Sequence, residues 1–93
     1  MFLENPMYEC HITTELPVDT SFYSELAKEH GWKTSYIVGD PLLGDRGFFY
    51  FTSYDSNFDR MFSRMERMAM QIPGKVLRKK IEQIVYDTKR KLI

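Results

Sequence analysis

The hydrophobic residues of this chain switch between two periodicities, and the order of the switches limits the possible folds more than any other feature. Four segments have the alternating, or β-branched and aromatic, pattern that is typical of strands, namely residues 7–16, 32–38, 48–54 and 76–88. Two segments have apolar residues at three- and four-residue spacing, which predicts helices, over residues 20–30 and 57–72. The predicted order of elements is therefore βαββαβ.

Residues that start and stop helices support these boundaries. Gly31 follows the first helix as the expected stop. Ser56, with Asp59 three residues later, predicts a variant capping box at the start of the second helix, and Pro73 closes that helix. Within the last segment, the pattern of residues 78–83 is compatible with a helix as well as with a strand. We predict a strand for the whole segment.

A βαββαβ order is typical of the ferredoxin-like α+β sandwich, an antiparallel four-stranded sheet with two helices on one face. The 93 residues allow a single domain of this kind with a single core. In this topology the first strand lies between the third and the fourth, and one face of the sheet carries no helix. The residues expected in the core are Ile12, Leu26, Phe49, Phe51, Phe62, Met65, Leu77, Ile81 and Val85.

The composition of the chain excludes several kinds of site and of protein. A single cysteine, Cys10, excludes an internal disulfide framework and a cysteine-based zinc site. No apolar run is long enough to cross a membrane and the N-terminal residues lack the features of a secretory signal, so a cytoplasmic protein is expected. No cofactor and no metal site is expected either. Acids dominate residues 1–59 and bases residues 60–93, which fits a basic binding surface or pairing between the two halves.

The bare sheet face is the predicted location of a site. Strand alternation places a titratable imidazole, hydroxyl groups and two cations on this face, a combination that suits a phosphate or another anion. The predicted set is His11, Thr13, Tyr50, Thr52, Arg78, Lys80 and Glu82. The alternative is that these are ordinary solvent-facing strand residues in cross-strand pairs, such as Glu9 or Glu15 with Arg78 or Lys80.

The second helix offers a separate candidate for nucleic acid binding. Arg60, Arg64 and Arg67 follow a four- and three-residue spacing on one helix face, where they can contact phosphates. The alternative is a solvated face whose arginines pair with acids of the first helix. Tyr50 and Tyr54 on an open sheet also resemble the aromatic platform on which RNA-recognition modules stack bases, although their RNP1 sequence is missing here.

His11-Ile12-Thr13 is an H-x-T strand motif and resembles one of the two motifs of the 2H phosphoesterase superfamily. That resemblance implies two histidines acting as acid and base on a phosphodiester, with His11 and Thr13 as the matching residues. This chain has one copy of the motif, and its other histidine, His30, lies at a predicted helix end. A homodimer would bring two copies of His11 together.

The wider layout, with its H-I-T strand, "GWKTS" second strand and "RKKIE" fourth strand, is similar to small proteins of bacteria and their phages. The resemblance implies a phage accessory protein but no particular activity. We therefore expect a small intracellular binding protein without catalysis, which holds a protein partner, a nucleotide or RNA and forms a homodimer. The alternative is a phosphoesterase-like enzyme that uses His11 with Thr13, Arg78 and Lys80. The enzyme requires His11 in a concave pocket beside Arg78 or Lys80, whereas the binding protein is expected to have a flat or covered face.

Overall fold

The computed structural model describes residues 2–86. The elements are β1 (Phe2–Glu15), α1 (Thr20–Glu29), β2 (Lys33–Val38), β3 (Gly47–Asp55), α2 (Phe58–Gln71) and β4 (Val76–Tyr86), with a short 3-10 turn at Pro41–Leu43 between β2 and β3. The βαββαβ order and the α+β class are confirmed. The first strand begins at Phe2 rather than at residue 7. The predicted end of the last strand, residues 87 and 88, lies outside the described residues.

The four strands form one open antiparallel sheet in the order β2-β3-β1-β4. β1 therefore lies between β3 and β4, as predicted for this topology. Both helices pack on one face of the sheet, and we call the opposite face the open face. Within the described residues, neither helix has the length and apolar character needed to span a bilayer.

Local signals explain the helix boundaries. The backbone at Gly31, which follows the C-cap residue of α1, has φ of +78°, a left-handed conformation that glycine adopts without a steric penalty. The N-cap of α2 is Asn57, whose side chain accepts a hydrogen bond from the Arg60 amide at 2.9 Å. The predicted cap at Ser56 was thus one residue too early, and the Asn side chain satisfies the amide instead.

The core lies between the helices and the sheet. Its fully buried members include Ile12 on β1, Phe49 and Phe51 on β3, and Met61 and Met68 on α2. Other buried apolar residues are Cys10, Tyr23, Ala27, Trp32, Met65 and Ile72. Of the predicted core, Ile12, Phe49, Phe51 and Met65 are buried and Leu26 and Ile81 are partly buried against them. The side chain of Val85 lies outside the described residues.

Phe62 and Leu77 were predicted in the core, and both predictions are wrong. Phe62 is 47% exposed because the buried stripe of α2 runs through Met61 and Met65, which places Phe62 on the flank beside Phe58. Leu77 is 40% exposed because the pairing of β1 with β4 shifts register between Thr13 and Thr14. Leu77 is the extra residue of this bulge, so its side chain does not follow the regular alternation between the two faces of the sheet.

Candidate functional site

The register of the sheet aligns the predicted site residues in two adjacent rows on the open face. His11 lies opposite Thr52 of β3 on one side and Lys80 of β4 on the other. Two residues further along β1, Thr13 lies opposite Tyr50 and Arg78. Side chains of one face repeat every second residue. The alternation that the sequence displays therefore brings six of the seven predicted residues into two neighbouring cross-strand sets.

A shallow depression of about 210 Å³ lies over these rows. Its lining consists of His11, Thr13, Tyr50, Arg78 and Lys80. The two remaining predicted residues lie beside it, because Thr52 contacts the imidazole and Glu82 pairs with Lys80 at 2.7 Å. His11 thus lies in a concave surface beside both cations, as the enzyme alternative requires, and the open face is not flat at this point.

His11 is held by hydrogen bonds at both ring nitrogens. Its Nδ1 lies 3.1 Å from the Thr52 hydroxyl, and its Nε2 lies 2.6 Å from Oε1 of Glu9. Glu9 precedes His11 by two residues, so the two side chains share the open face. These contacts fix the orientation of the ring, and they leave neither nitrogen free to exchange a proton with a substrate unless Thr52 or Glu9 moves.

Arg78 and Lys80, the two cations of the depression, differ in their partners among the described residues. Arg78 forms no ion pair among the described residues, whereas Lys80 is neutralised by Glu82. The cross-strand pairs of Glu9 or Glu15 with these cations, which the alternative interpretation predicts, are not among the ion pairs of the described residues. An exposed guanidinium beside hydroxyl groups offers several donors to an anion in a fixed planar arrangement.

Aromatic side chains of β3 border the depression. The rings of Phe48 and Tyr50 lie 6.4 Å apart with a tilt of 42°. Phe48 also lines a second depression of about 280 Å³ with Glu15, Leu77 and residues 44–47. Leu77, which was predicted in the core, thereby lies at the apolar end of the open face. An aromatic surface next to a cation suits a ligand with both a flat ring and a negative charge.

The arginines of α2 have structural partners. The Arg60 guanidinium donates to both oxygens of Asp55, at 2.6 Å from Nη2 and 2.8 Å from Nε. Arg64 donates to the Tyr54 carbonyl and the Ser53 hydroxyl, and it lies 5.6 Å from the centre of the Trp32 ring. The acid that binds these arginines is therefore Asp55 of β3, not an acid of α1.

Arg67, the third arginine of the predicted nucleic acid stripe, is exposed and has no ion pair among the described residues. It lines a groove of about 250 Å³ with His30, Trp32, Arg64 and Met68. His30 follows α1 as its C-cap, which agrees with its expected place at a helix end. Among the described residues, the helix face thus offers one arginine without an ion pair and not a row of three.

Asp55 was not among the predicted functional residues. Its side chain is 6% exposed and accepts hydrogen bonds from Arg60, from Arg64 and from the Asn57 amide. The Arg60 hydrogen bonds lower the pKa of this carboxyl to about 2. A sequence signal for this ion pair does exist. Asp55 precedes Arg60 by five residues, and the two residues flank the junction of a predicted strand and a predicted helix.

Cys10 does not supply a nucleophile. It is completely buried on the helix-facing side of β1, and burial raises the pKa of its thiol to about 12. The thiolate is the reactive form of cysteine. The thiol therefore stays protonated at neutral pH and acts as a small apolar core residue.

No protein-family model matches the chain, and a search of curated proteins finds no significant match. The resemblances to 2H phosphoesterases and to small bacterial and phage proteins therefore stay predictions.

Proposed function

We propose that this chain is a small intracellular binding protein that holds a phosphate-bearing ligand, a nucleotide or the end of an RNA strand, on its open face. The observation that carries the proposal is the depression formed by His11, Thr13, Tyr50, Arg78 and Lys80. Arg78 offers a positive charge that forms no ion pair within the described part of the chain, Thr13 a hydroxyl donor and Tyr50 a ring on which a base can stack. Charged hydrogen bonds fix a phosphate more strongly than neutral ones.

The charge balance of the open face favours a short ligand. Its described strand residues include three cations, Lys33, Arg78 and Lys80, and three acids, Glu9, Glu15 and Glu82. A long polyanion would meet as many negative as positive side chains. One phosphate at Arg78 with one base near Tyr50 avoids this repulsion. The affinity for the ligand should therefore fall only shallowly with salt concentration, as expected for about one phosphate contact.

A non-catalytic role fits the state of His11. General acid–base catalysis needs a ring nitrogen within hydrogen-bond reach of the substrate. Both nitrogens of His11 are already bound to Glu9 and Thr52. The phosphoesterase remains a second candidate, because His11 and Thr13 of the H-x-T motif lie beside Arg78 and Lys80 in a concave surface.

The arginine of the depression provides the test of binding. Arg78→Gln should weaken binding of a uridine nucleotide about tenfold or more, because a hydrogen bond to a charged group contributes about 1.5–3 kcal/mol. Arg46→Gln is the matched control, since Arg46 is exposed at the hairpin between β2 and β3 and does not line the depression. Isothermal titration of both variants with uridine monophosphate, inorganic phosphate and a short oligouridine measures the effect.

The three titrations separate the ligand classes. Inorganic phosphate binding as tightly as the nucleotide would show that the base makes no contact, and a steep salt dependence with the oligomer would favour extended RNA binding. Equal losses in Arg78→Gln and Arg46→Gln would contradict the site. Hydrolysis of a phosphodiester that disappears in His11→Ala and persists in His30→Ala would establish the second candidate in place of the first.

We also propose that two copies pair through β2. This strand lies at the sheet edge, and its backbone has no neighbour on that side among the described residues. Its sequence after Lys33 has no charge, and Tyr36, Ile37 and Val38 are each more than half exposed. The other edge, β4, is rich in charged residues, which discourage strand pairing. An antiparallel pair of β2 strands would leave the depression open.

Ile37→Lys should convert a dimer into a monomer, because a lysine on an edge strand opposes pairing with another copy. Met70→Lys is the control, since Met70 is a similarly exposed apolar residue on α2. Light scattering after size-exclusion chromatography gives the mass of each variant. A monomeric parent protein at submillimolar concentration, or a dimer that survives Ile37→Lys, would exclude pairing through β2.

A further inference from the structure

Beside the depression, three metal-ligating side chains converge on the open face. Glu9 and His11 lie two residues apart on β1, and Glu82 lies directly opposite Glu9 on β4. One carboxylate oxygen from each glutamate and one nitrogen of His11 all lie within 4.8 Å of one another. The three side chains thus form a triangle that opens toward solvent.

Glu9 and Glu82 are directly opposed, and a positive charge between them would reduce the repulsion of their carboxylates. Like charges at directly opposed positions of an antiparallel pair are unfavourable. Here each carboxylate has a separate partner, since Nε2 of His11 lies 2.6 Å from Glu9 and Nζ of Lys80 lies 2.7 Å from Glu82. A divalent cation bound by both carboxylates would replace both contacts.

We propose that Glu9, His11 and Glu82 bind a divalent first-row transition metal such as Zn²⁺. Imidazole nitrogen combined with carboxylate oxygens suits zinc, whereas Ca²⁺ and Mg²⁺ prefer oxygen ligands throughout. Zinc–ligand distances are about 2.0–2.2 Å. The Glu82 side chain is exposed, so it can turn toward the other two ligands without disturbing the core.

The second ring nitrogen of His11 supports this assignment. A histidine ligand usually has its other nitrogen hydrogen-bonded, which fixes the tautomer and the ring orientation. The Thr52 hydroxyl lies 3.1 Å from Nδ1 of His11, and it can accept a hydrogen bond from a protonated Nδ1 as well as donate one to an unprotonated Nδ1. In the metal-free protein Nε2 donates its proton in the hydrogen bond to the Glu9 carboxylate. Zinc at Nε2 would replace that proton and place the ring proton on Nδ1, where the Thr52 hydroxyl can accept the hydrogen bond.

Metal binding has a defined effect on the neighbouring depression. Three protein ligands leave at least one coordination position for water or an anion. The metal would also release Lys80 from Glu82 and leave its charge free beside Arg78. The metal site shares His11 with the depression, whereas its two carboxylates, Glu9 and Glu82, do not line it. Zinc binding can therefore be tested in Glu82→Gln without changing a residue that lines the depression.

Titration of the metal-free full chain with Zn²⁺ alone tests the proposal. We expect one zinc ion per chain, with affinity reduced at least tenfold in both His11→Ala and Glu82→Gln. His30→Ala is the matched control and should bind zinc as the parent does, since His30 lies at the end of α1. Co²⁺ in place of Zn²⁺ gives an absorption spectrum that reports the ligand set.

The following results would contradict the zinc site. Absence of saturable binding below millimolar zinc excludes a site, and equal affinity in the parent, His11→Ala and Glu82→Gln excludes these ligands. Loss of binding in His30→Ala would assign zinc to the groove beside Trp32. If His11→Ala fails to fold, Glu82→Gln decides alone, because Glu82 is 52% exposed and its change removes a ligand without opening the core.

Discussion

Phe51→Ala is expected to destabilise the fold by about 3–5 kcal/mol, the range for deleting a fully buried aromatic side chain. Phe51 is completely buried at the centre of β3. Its ring lies 5.1 Å from that of Phe49 and 5.6 Å from that of Tyr23, so it joins the sheet to α1. A domain of this size has a total stability of about 5–15 kcal/mol, so the loss is a large part of it. Urea denaturation followed by circular dichroism measures the change.

Phe48→Ala is the matched control, because Phe48 is on the same strand but on the open face and is 37% exposed. Its expected cost is about 1 kcal/mol, in line with the smaller apolar area that it buries. Similar losses in the two variants would mean that β3 does not place Phe51 toward the helices. If Phe51→Ala does not fold, Phe51→Leu should still cost more than Phe48→Leu.

The sequence alone predicted which residues share the open face, because that grouping depends on two regular features. Residues alternate between the faces of a strand, and the βαββαβ topology places β1 between β3 and β4. Together they were sufficient to bring His11 beside Thr52 and Lys80, and Thr13 beside Tyr50 and Arg78. No knowledge of individual side-chain conformations was needed for that grouping.

The failures occurred where regular patterns break or where side-chain conformations decide. Leu77 was misplaced because a bulge interrupts the alternation of β4, and no residue type in the segment marks the bulge. Phe62 was misplaced because an apolar stripe on a helix can be wider than the surface that the sheet covers. The contact between Glu9 and His11 depends on how both side chains turn, which the sequence does not specify.

The segregation of acids and bases along the chain has a partial structural explanation. Asp55, in the acidic part, binds Arg60 and Arg64 of the basic part across the junction of β3 and α2. The other described ion pairs join residues within the same part, as in the pairs of Lys79 with Glu66 and Lys80 with Glu82. Among the described residues, pairing between the halves is therefore concentrated at one buried carboxylate.

Asp55→Asn should remove about 2–3 kcal/mol of stability at neutral pH. The carboxyl is buried, and hydrogen bonds from Arg60, then from the Asn57 amide and Arg64, hold its pKa at about 2 against an ordinary value of 3.8. A folded-state pKa below that of the unfolded chain means that the charged form stabilises the fold. A shift of this size corresponds to roughly 2 kcal/mol, and the asparagine cannot replace the charge.

The same shift predicts how stability depends on pH. The contribution of Asp55 is fully present above the unfolded pKa and is lost as the pH falls through the folded pKa, so it fades between about pH 5 and pH 2. Unfolding free energies measured across this range should fall less steeply in Asp55→Asn than in the parent. Asp59→Asn is the control, because Asp59 is exposed in the first turn of α2 and should cost under about 1 kcal/mol. Identical acid dependence in the parent and in Asp55→Asn would show that the buried carboxylate does not hold the junction of β3 and α2 together.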